Sequence, residues 1–296
     1  MKFRPLVTLV FAGLLFFGAN LHAGEAYDPV SMDPQELDTA YPPDFAELLI
    51  PSQGVMLTGF MLVANGEGPH PTVLLLHGYP GNEKNLDLAQ SLRRAGFNVL
   101  FFHYRGAWGS QGDYTIGHQV DDVTAVLDYV RKNAGELRAD TGRISIIGHS
   151  MGGFTALRAA ARHEEILCVV GLAAANFAQD KGMDEKDKEA FVAYTDQLFM
   201  LNNYSGSKAL AEIGANAAAF DVRNLAAKFA GRPVLLITGS EDTSVPPQVQ
   251  EQIAVAFAKV PDIRLTAKLI PGDHAFSVSR IRLQHEVIGW MQPLCR

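Results

Sequence analysis

The residues of this chain best suited to do chemistry lie together in Gly148-His149-Ser150-Met151-Gly152-Gly153. A serine hydroxyl is a weak nucleophile at neutral pH. It becomes effective when an imidazole takes its proton and a carboxylate holds that imidazole in one tautomer. Two later stretches supply the missing types, Gly239-Ser240-Glu241-Asp242 and Gly272-Asp273-His274-Ala275-Phe276. Ser150, Asp242 and His274 are therefore the candidate nucleophile, orienting acid and base. Glu241 beside Asp242 and Asp273 beside His274 are competing acids. Adjacent side chains diverge, so Asp273 is the weaker orienter of His274. His77 is a competing base, although a histidine at a strand end more often braces its loop. The chemistry these residue types support is acyl transfer, which also needs donors for an oxyanion. The Met151 N–H, first after the nucleophile at a helix start, is one candidate. In His77-Gly78-Tyr79-Pro80-Gly81, Pro80 has no N–H, so the second donor is Tyr79 or a neighbouring glycine.

Such residues work only if the backbone brings them to one place. Ile144-Ser145-Ile146-Ile147 reads as a buried strand and Phe154 to Ala161 as a helix, so Ser150 sits on a tight strand-to-helix turn. Gly148 and Gly152 carry no Cβ, which lets strand and helix approach while Ser150 is held in a strained conformation. Upstream, Glu47–Ile50 and Val55–Val63 read as an edge hairpin around Pro51-Ser52-Gln53-Gly54. Thr72–Leu76 and Phe97–Phe102 are continuous apolar runs of the kind buried on both faces. Glu83–Ala95 and Ile116–Lys132 show helical spacing between them. Downstream, Glu165–Leu172, Pro233–Thr238 and Arg264–Ile270 read as strands, Pro247–Lys259 and Val278–Met291 as helices. Alternating strands and helices predict a mostly parallel, doubly wound sheet, with Ser150, Asp242 and His274 just past the C-terminal strand ends.

Residues 174–231 break this rhythm and are too long for a connection. They read as a helical cap. Phe191, Tyr194, Leu198 and Leu201 fall at helical spacing and either roof an acyl pocket or fasten the cap to the body. In Tyr104-Arg105-Gly106-Ala107-Trp108-Gly109-Ser110, Arg105 binds an anionic group or ties loops together, and Trp108 lines the pocket or fills a gap beneath the loop.

Residues 1–26 have the composition of an export signal: Lys2 and Arg4, an apolar run from Leu6 to Gly18, then small residues permitting cleavage after Ala23 or Ala26. The apolar run is shorter than the roughly 20 residues of a spanning helix, so no stable membrane insertion is expected after cleavage. A periplasmic or secreted location follows as an expectation. Residues 27–296 suffice for one large α/β domain. The formal charge of −7 and the absence of basic clusters argue against nucleic-acid binding. There is no His-Glu-x-x-His, the nine histidines form no ligand-like cluster, and no Gly-x-Gly-x-x-Gly occurs. No metal and no cofactor are expected.

Four motifs in this order, around His77, Ser150, Asp242 and His274, resemble the α/β-hydrolase fold superfamily along nearly the whole chain. The resemblance implies an eight-stranded, mostly parallel sheet with helices on both faces and a cap insertion. It also implies a serine hydrolase acting on a small acyl substrate. The Tyr104–Ser110 loop is most similar to the prolyl-oligopeptidase and dienelactone-hydrolase-like branch. The short stretch before the hairpin leaves no room for the propeller of the oligopeptidases, which favours carboxylic esterase action over peptidase, amidase or lactonase action. A non-catalytic binding protein on the same fold is the rival of another class. On this topology Cys168 lies early in its strand, at the end away from the catalytic rim, and the closing helix delivers Cys295 to that same end. They are therefore a candidate disulfide, against the alternative that Cys168 is a small buried apolar residue.

Overall fold

In a computed structural model, residues 26–178 and 183–296 are described. The export segment read over 1–26 lies, but for Ala26, outside them. The strands are β1 (Asp44–Ser52), β2 (Val55–Val63), β3 (His70–Leu76), β4 (Asn98–Phe102), β5 (Ala139–His149), β6 (Val169–Leu172), β7 (Pro233–Gly239) and β8 (Arg264–Ile270). They form one sheet in the order β1-β2-β4-β3-β5-β6-β7-β8. β2 runs antiparallel to β1 and β4, and every other pairing is parallel.

Side chains along a strand alternate between faces, and the core divides accordingly. Leu74, Leu76, Ile146, Val234 and Leu236 pack on one face with α2 (Gln119–Lys132), α3 (Met151–Arg162) and α6 (Pro247–Phe257). Val73, Leu75, Ile147, Leu235 and Ile237 pack on the other with α1 (Leu86–Arg94) and α7 (Arg280–Leu294). Central strands buried on both faces need continuous apolar runs, which is why β3, β4 and β7 are nearly free of polar residues.

Several element boundaries move from their predicted places, each for a local reason. α1 starts at Leu86 rather than Glu83 because Asn85 is left-handed (φ 54°) and its N–H goes to the Glu83 carboxylate. α2 starts at Gln119 rather than Ile116, and the N–H groups of Ile116 and Gly117 in the turn before it are bound by Glu212 of the cap. β6 is confined to Val169–Leu172. Between β6 and β7 lies the helical insertion, with α4 (Glu185–Thr195), α5 (Gly206–Asn216) and a 3₁₀ helix (Val222–Phe229). Asp184, Ser205 and Asp221 cap their starts by accepting backbone N–H bonds. Because α4 stops at Thr195, Leu198 lies beyond it and packs against the core.

At the end of the sheet opposite the cap, Cys168 immediately precedes β6 and Cys295 immediately follows α7. They are joined by a disulfide with a Cα–Cα distance of 5.9 Å across 127 residues of sequence. Among the described residues no helix is long and apolar enough to cross a membrane.

Candidate active site

The turn from β5 into α3 holds Ser150 at φ 57°, ψ −121°, a conformation L-residues rarely adopt. Neighbours overdetermine it. The Ser150 N–H donates to the Leu172 carbonyl at 2.8 Å, and the Ser150 carbonyl accepts from Gly153, Phe154 and Ala175. Gly148 is required because a Cβ there would lie 2.0 Å from the Gly152 carbonyl oxygen. Gly152 is required for a different approach: its Cβ would lie 2.3 Å from the Leu76 carbonyl at the end of β3. The two glycines thus seat α3 against β5 and β3 together, and Ser150 is left 8% exposed at a cavity wall.

The loop after β8 brings His274 to the same cavity. Its Nδ1 lies 2.7 Å from Asp242 Oδ2, and the Asp242 side chain is fully buried. Asp242 Oδ1 accepts the backbone N–H groups of Ser244 (2.9 Å) and Val245 (2.8 Å), so the carboxylate is fixed in rotation. A carboxylate only accepts, which places the His274 proton on Nδ1 and leaves a lone pair on Nε2. Of the competing acids, Asp273 is turned to its own loop, accepting from the Ser277 N–H and hydroxyl, which lower its pKa. Glu241 is exposed.

Met151 opens α3, where backbone N–H groups have no intrahelical partner. Met151 and Tyr79 both line the cavity. The Met151 thioether accepts from Tyr114 Oη and from Gln119 Nε2, each at 3.1 Å, and Gln119 also donates to Tyr114 Oη at 3.0 Å. Thr155 donates to the Gln119 carbonyl oxygen. Tyr114, Gln119 and Thr155 are all buried, so this polar set clamps the first residue after the serine. Nothing in the sequence pattern marks it. Tyr79 donates its hydroxyl to Thr195 at the end of α4, and burial raises its pKa to about 12.

The cavity has a volume of about 1070 Å³. The predicted lining residues divide. Phe191 and Tyr194 line it, beside Tyr79 at ring distances of 6.2 and 6.5 Å. Leu198 and Trp108 do not. Trp108 lies behind the loop instead, its indole N–H donating to the Pro80 carbonyl at 2.7 Å and its ring stacked on His103. His77 braces the same loop through Nδ1 to the Gly78 carbonyl at 2.8 Å, and burial lowers its pKa to about 4. Arg105 is an internal tie, paired with buried Asp122 at 2.8 Å. His149, unassigned by the motif reading, lies under His274 with ring centroids 4.7 Å apart. Among the described residues no group of three or more histidines, cysteines or acids is placed to hold a metal.

The strand order and the strand-to-helix turn at Ser150 are those of the α/β-hydrolase fold. A family model for the alpha/beta hydrolase fold matches residues 71–209. An uncharacterized 31.7 kDa protein in the traX-finO intergenic region of Escherichia coli is 32% identical over 124 residues, 40% of this chain and 42% of that protein. The chain thus spans about two fifths of that curated relative. Among solved structures, an esterase of Pyrococcus furiosus, Pf2001, superposes with a TM-score of 0.67 at 21% identity, over 89% of this chain and 98% of that one. Est1E from Butyrivibrio proteoclasticus, solved with ferulic acid bound, superposes with a TM-score of 0.66 at 21% identity, over 83% and 98%.

Proposed function

We propose that the protein is a serine hydrolase that cleaves small carboxylic esters through an acyl-enzyme on Ser150. The observation that carries this reading is the Asp242–His274 pair. It leaves the Nε2 lone pair on a ring that lines the same cavity as a strained, helix-capping serine. In the first step the Ser150 oxygen bonds to the acyl carbon and its proton passes to His274 Nε2. Asp242 stabilises the resulting imidazolium. The N–H groups of Met151 and Tyr79 receive the oxyanion. Collapse expels the alcohol, which takes the proton from His274. A water then attacks the acyl carbon, its proton passing to His274, and collapse releases the acid while the Ser150 oxygen takes that proton back.

The lining supports an uncharged acyl group. Its described members include Glu83, Asp187 and Asp273 but no lysine or arginine. Tyr79, Phe191 and Tyr194 offer aromatic faces. The superposition on Pf2001, a structure described as an esterase, supports ester cleavage. The buried disulfide supports an exported protein, since such bonds persist in oxidising compartments.

The test is covalent labelling with a fluorophosphonate alongside a panel of short p-nitrophenyl esters and aminoacyl-arylamides. The native chain is expected to label at one site and to turn over the esters faster than the arylamides. Ser150→Ala should do neither. Labelling of that variant at the native level would remove Ser150 from the mechanism, and arylamides as the better substrates would reassign the protein as a peptidase.

A further inference from the structure

We propose that His149 is a positioning residue for the base: its Nε2–H holds the backbone carbonyl of His274 and so ties the loop of the imidazole to the turn of the nucleophile. This rests on the serine-hydrolase reading above.

His149 ends β5, one residue before Ser150, and is buried. Its Nε2 lies 2.7 Å from the His274 carbonyl oxygen, 125 positions away in sequence. A carbonyl only accepts, so Nε2 carries the proton and Nδ1 carries a lone pair. That Nδ1 is buried without a partner. It faces the backbone of Gly78, where a Cβ would lie 3.4 Å away. A proton on Nδ1 would therefore be an unsatisfied buried donor.

Neutrality has a use here. During acylation His274 becomes an imidazolium, and a second cation with its ring centre 4.7 Å away would oppose that charge. The groups acting on His149 are His274 in the loop after β8, Asp242 in the loop after β7 and Arg280 on α7, with the uncharged Phe276 ring at 6.5 Å. Burial first, then His274, holds the His149 pKa down at about 4.

The next carbonyl in the loop, that of Ala275, accepts from Arg280 Nη1 at 2.9 Å. Two consecutive carbonyls are thus fastened, one from α7 and one from the elbow itself. The elbow contact is the distinctive one, because its anchor is covalently adjacent to the nucleophile. Any shift of the turn carries the base's loop with it, which keeps the distance from oxygen to imidazole constant.

The experiment measures kcat, KM and the fluorophosphonate labelling rate of His149→Leu and His149→Gln in the full chain, and the imidazole tautomer of His149 in the native protein by ¹⁵N NMR. His149→Leu is expected to lower kcat and the labelling rate about 30-fold with KM changed less than about 3-fold, since small misplacements at a reacting pair cost rate rather than binding. The glutamine amide reaches about as far as Nε2 and should restore the rate to within about 3-fold of native. The native ring should show its proton on Nε2. Equal impairment of His149→Gln and His149→Leu, a native kcat in His149→Leu, or a proton on Nδ1 would each overturn the proposal. The tautomer requires no substitution and decides alone if His149→Leu does not fold. A native chain that neither labels nor hydrolyses esters would instead count against the hydrolase reading.

Discussion

His274 keeps a usable lone pair on Nε2 because Asp242 takes the proton on the other nitrogen. The two backbone N–H groups on Asp242 Oδ1 make a sharp prediction. In Asp242→Asn the amide oxygen would stay with Ser244 and Val245, which turns the NH₂ toward His274 Nδ1. The ring must then accept at Nδ1 and carry its proton on Nε2, the wrong tautomer for a base. A loss in kcat on the order of 10⁴ with little change in KM is expected. A silent substitution would transfer the role to Glu241 or Asp273. At this scale the pairing of Asp242 with His274, beside a cavity that Ser150 also lines, was legible from residue type and order. The clamp on Met151 was not, because Tyr114 and Gln119 owe their roles to partners 37 and 32 positions away.

Among the elements, the contact between α3 and the end of β3 is the tightest constraint on the site. Gly152→Ala would place a methyl group 2.3 Å from the Leu76 carbonyl and 2.6 Å from that of His77. Both acceptors are backbone, so the helix must move away from the strand that leads into Tyr79. A destabilisation of about 2–3 kcal/mol in urea unfolding is expected, together with a fall in kcat as the Met151 and Tyr79 N–H groups separate. Retention of native stability and rate would show that the helix has slack. The strands were readable from continuous apolar runs and the helices from their spacing. Their ends were less so, since the left-handed Asn85 before α1 and the contacts of Glu212 with the Ile116 and Gly117 N–H groups before α2 leave no mark in helical spacing.

For the molecule as a whole, two features bear on stability. The disulfide closes a loop of 127 residues at the far end of the sheet. Replacing Cys168 and Cys295 by alanine should cost about 5 kcal/mol by the loop-entropy argument, while leaving kcat/KM for esters unchanged. A changed kcat/KM would mean that the two ends of the sheet are coupled. The second feature is the set of buried neutral histidines. Burial is the leading cause that lowers the pKa of His77 and His149 to about 4 and of His103 to about 3. An unfolded chain would bind protons at these rings near pH 6.5, where the folded chain does not. The unfolded state therefore holds more protons over this window, and stability must rise with pH across it. The urea midpoint should fall on acidification from pH 6.5 toward 4. A flat midpoint over that range would show that these rings are protonated in the native state.

Local pattern and residue order were enough to determine that this chain builds a mostly parallel α/β sheet with Ser150, Asp242 and His274 at its C-terminal edge. Period-two burial, helix spacing and the glycines of a tight turn act between near neighbours, so they can be read along the chain. What stands around the site was decided only in three dimensions. Trp108 was free by sequence to face the cavity and Leu198 to roof it, yet one braces the Pro80 carbonyl and the other packs on the body. His149 carried no role of its own in the motif and lies against a loop 125 residues away. Such roles depend on which buried polar atoms meet which partners, and that is settled by packing the elements together, not by any one of them.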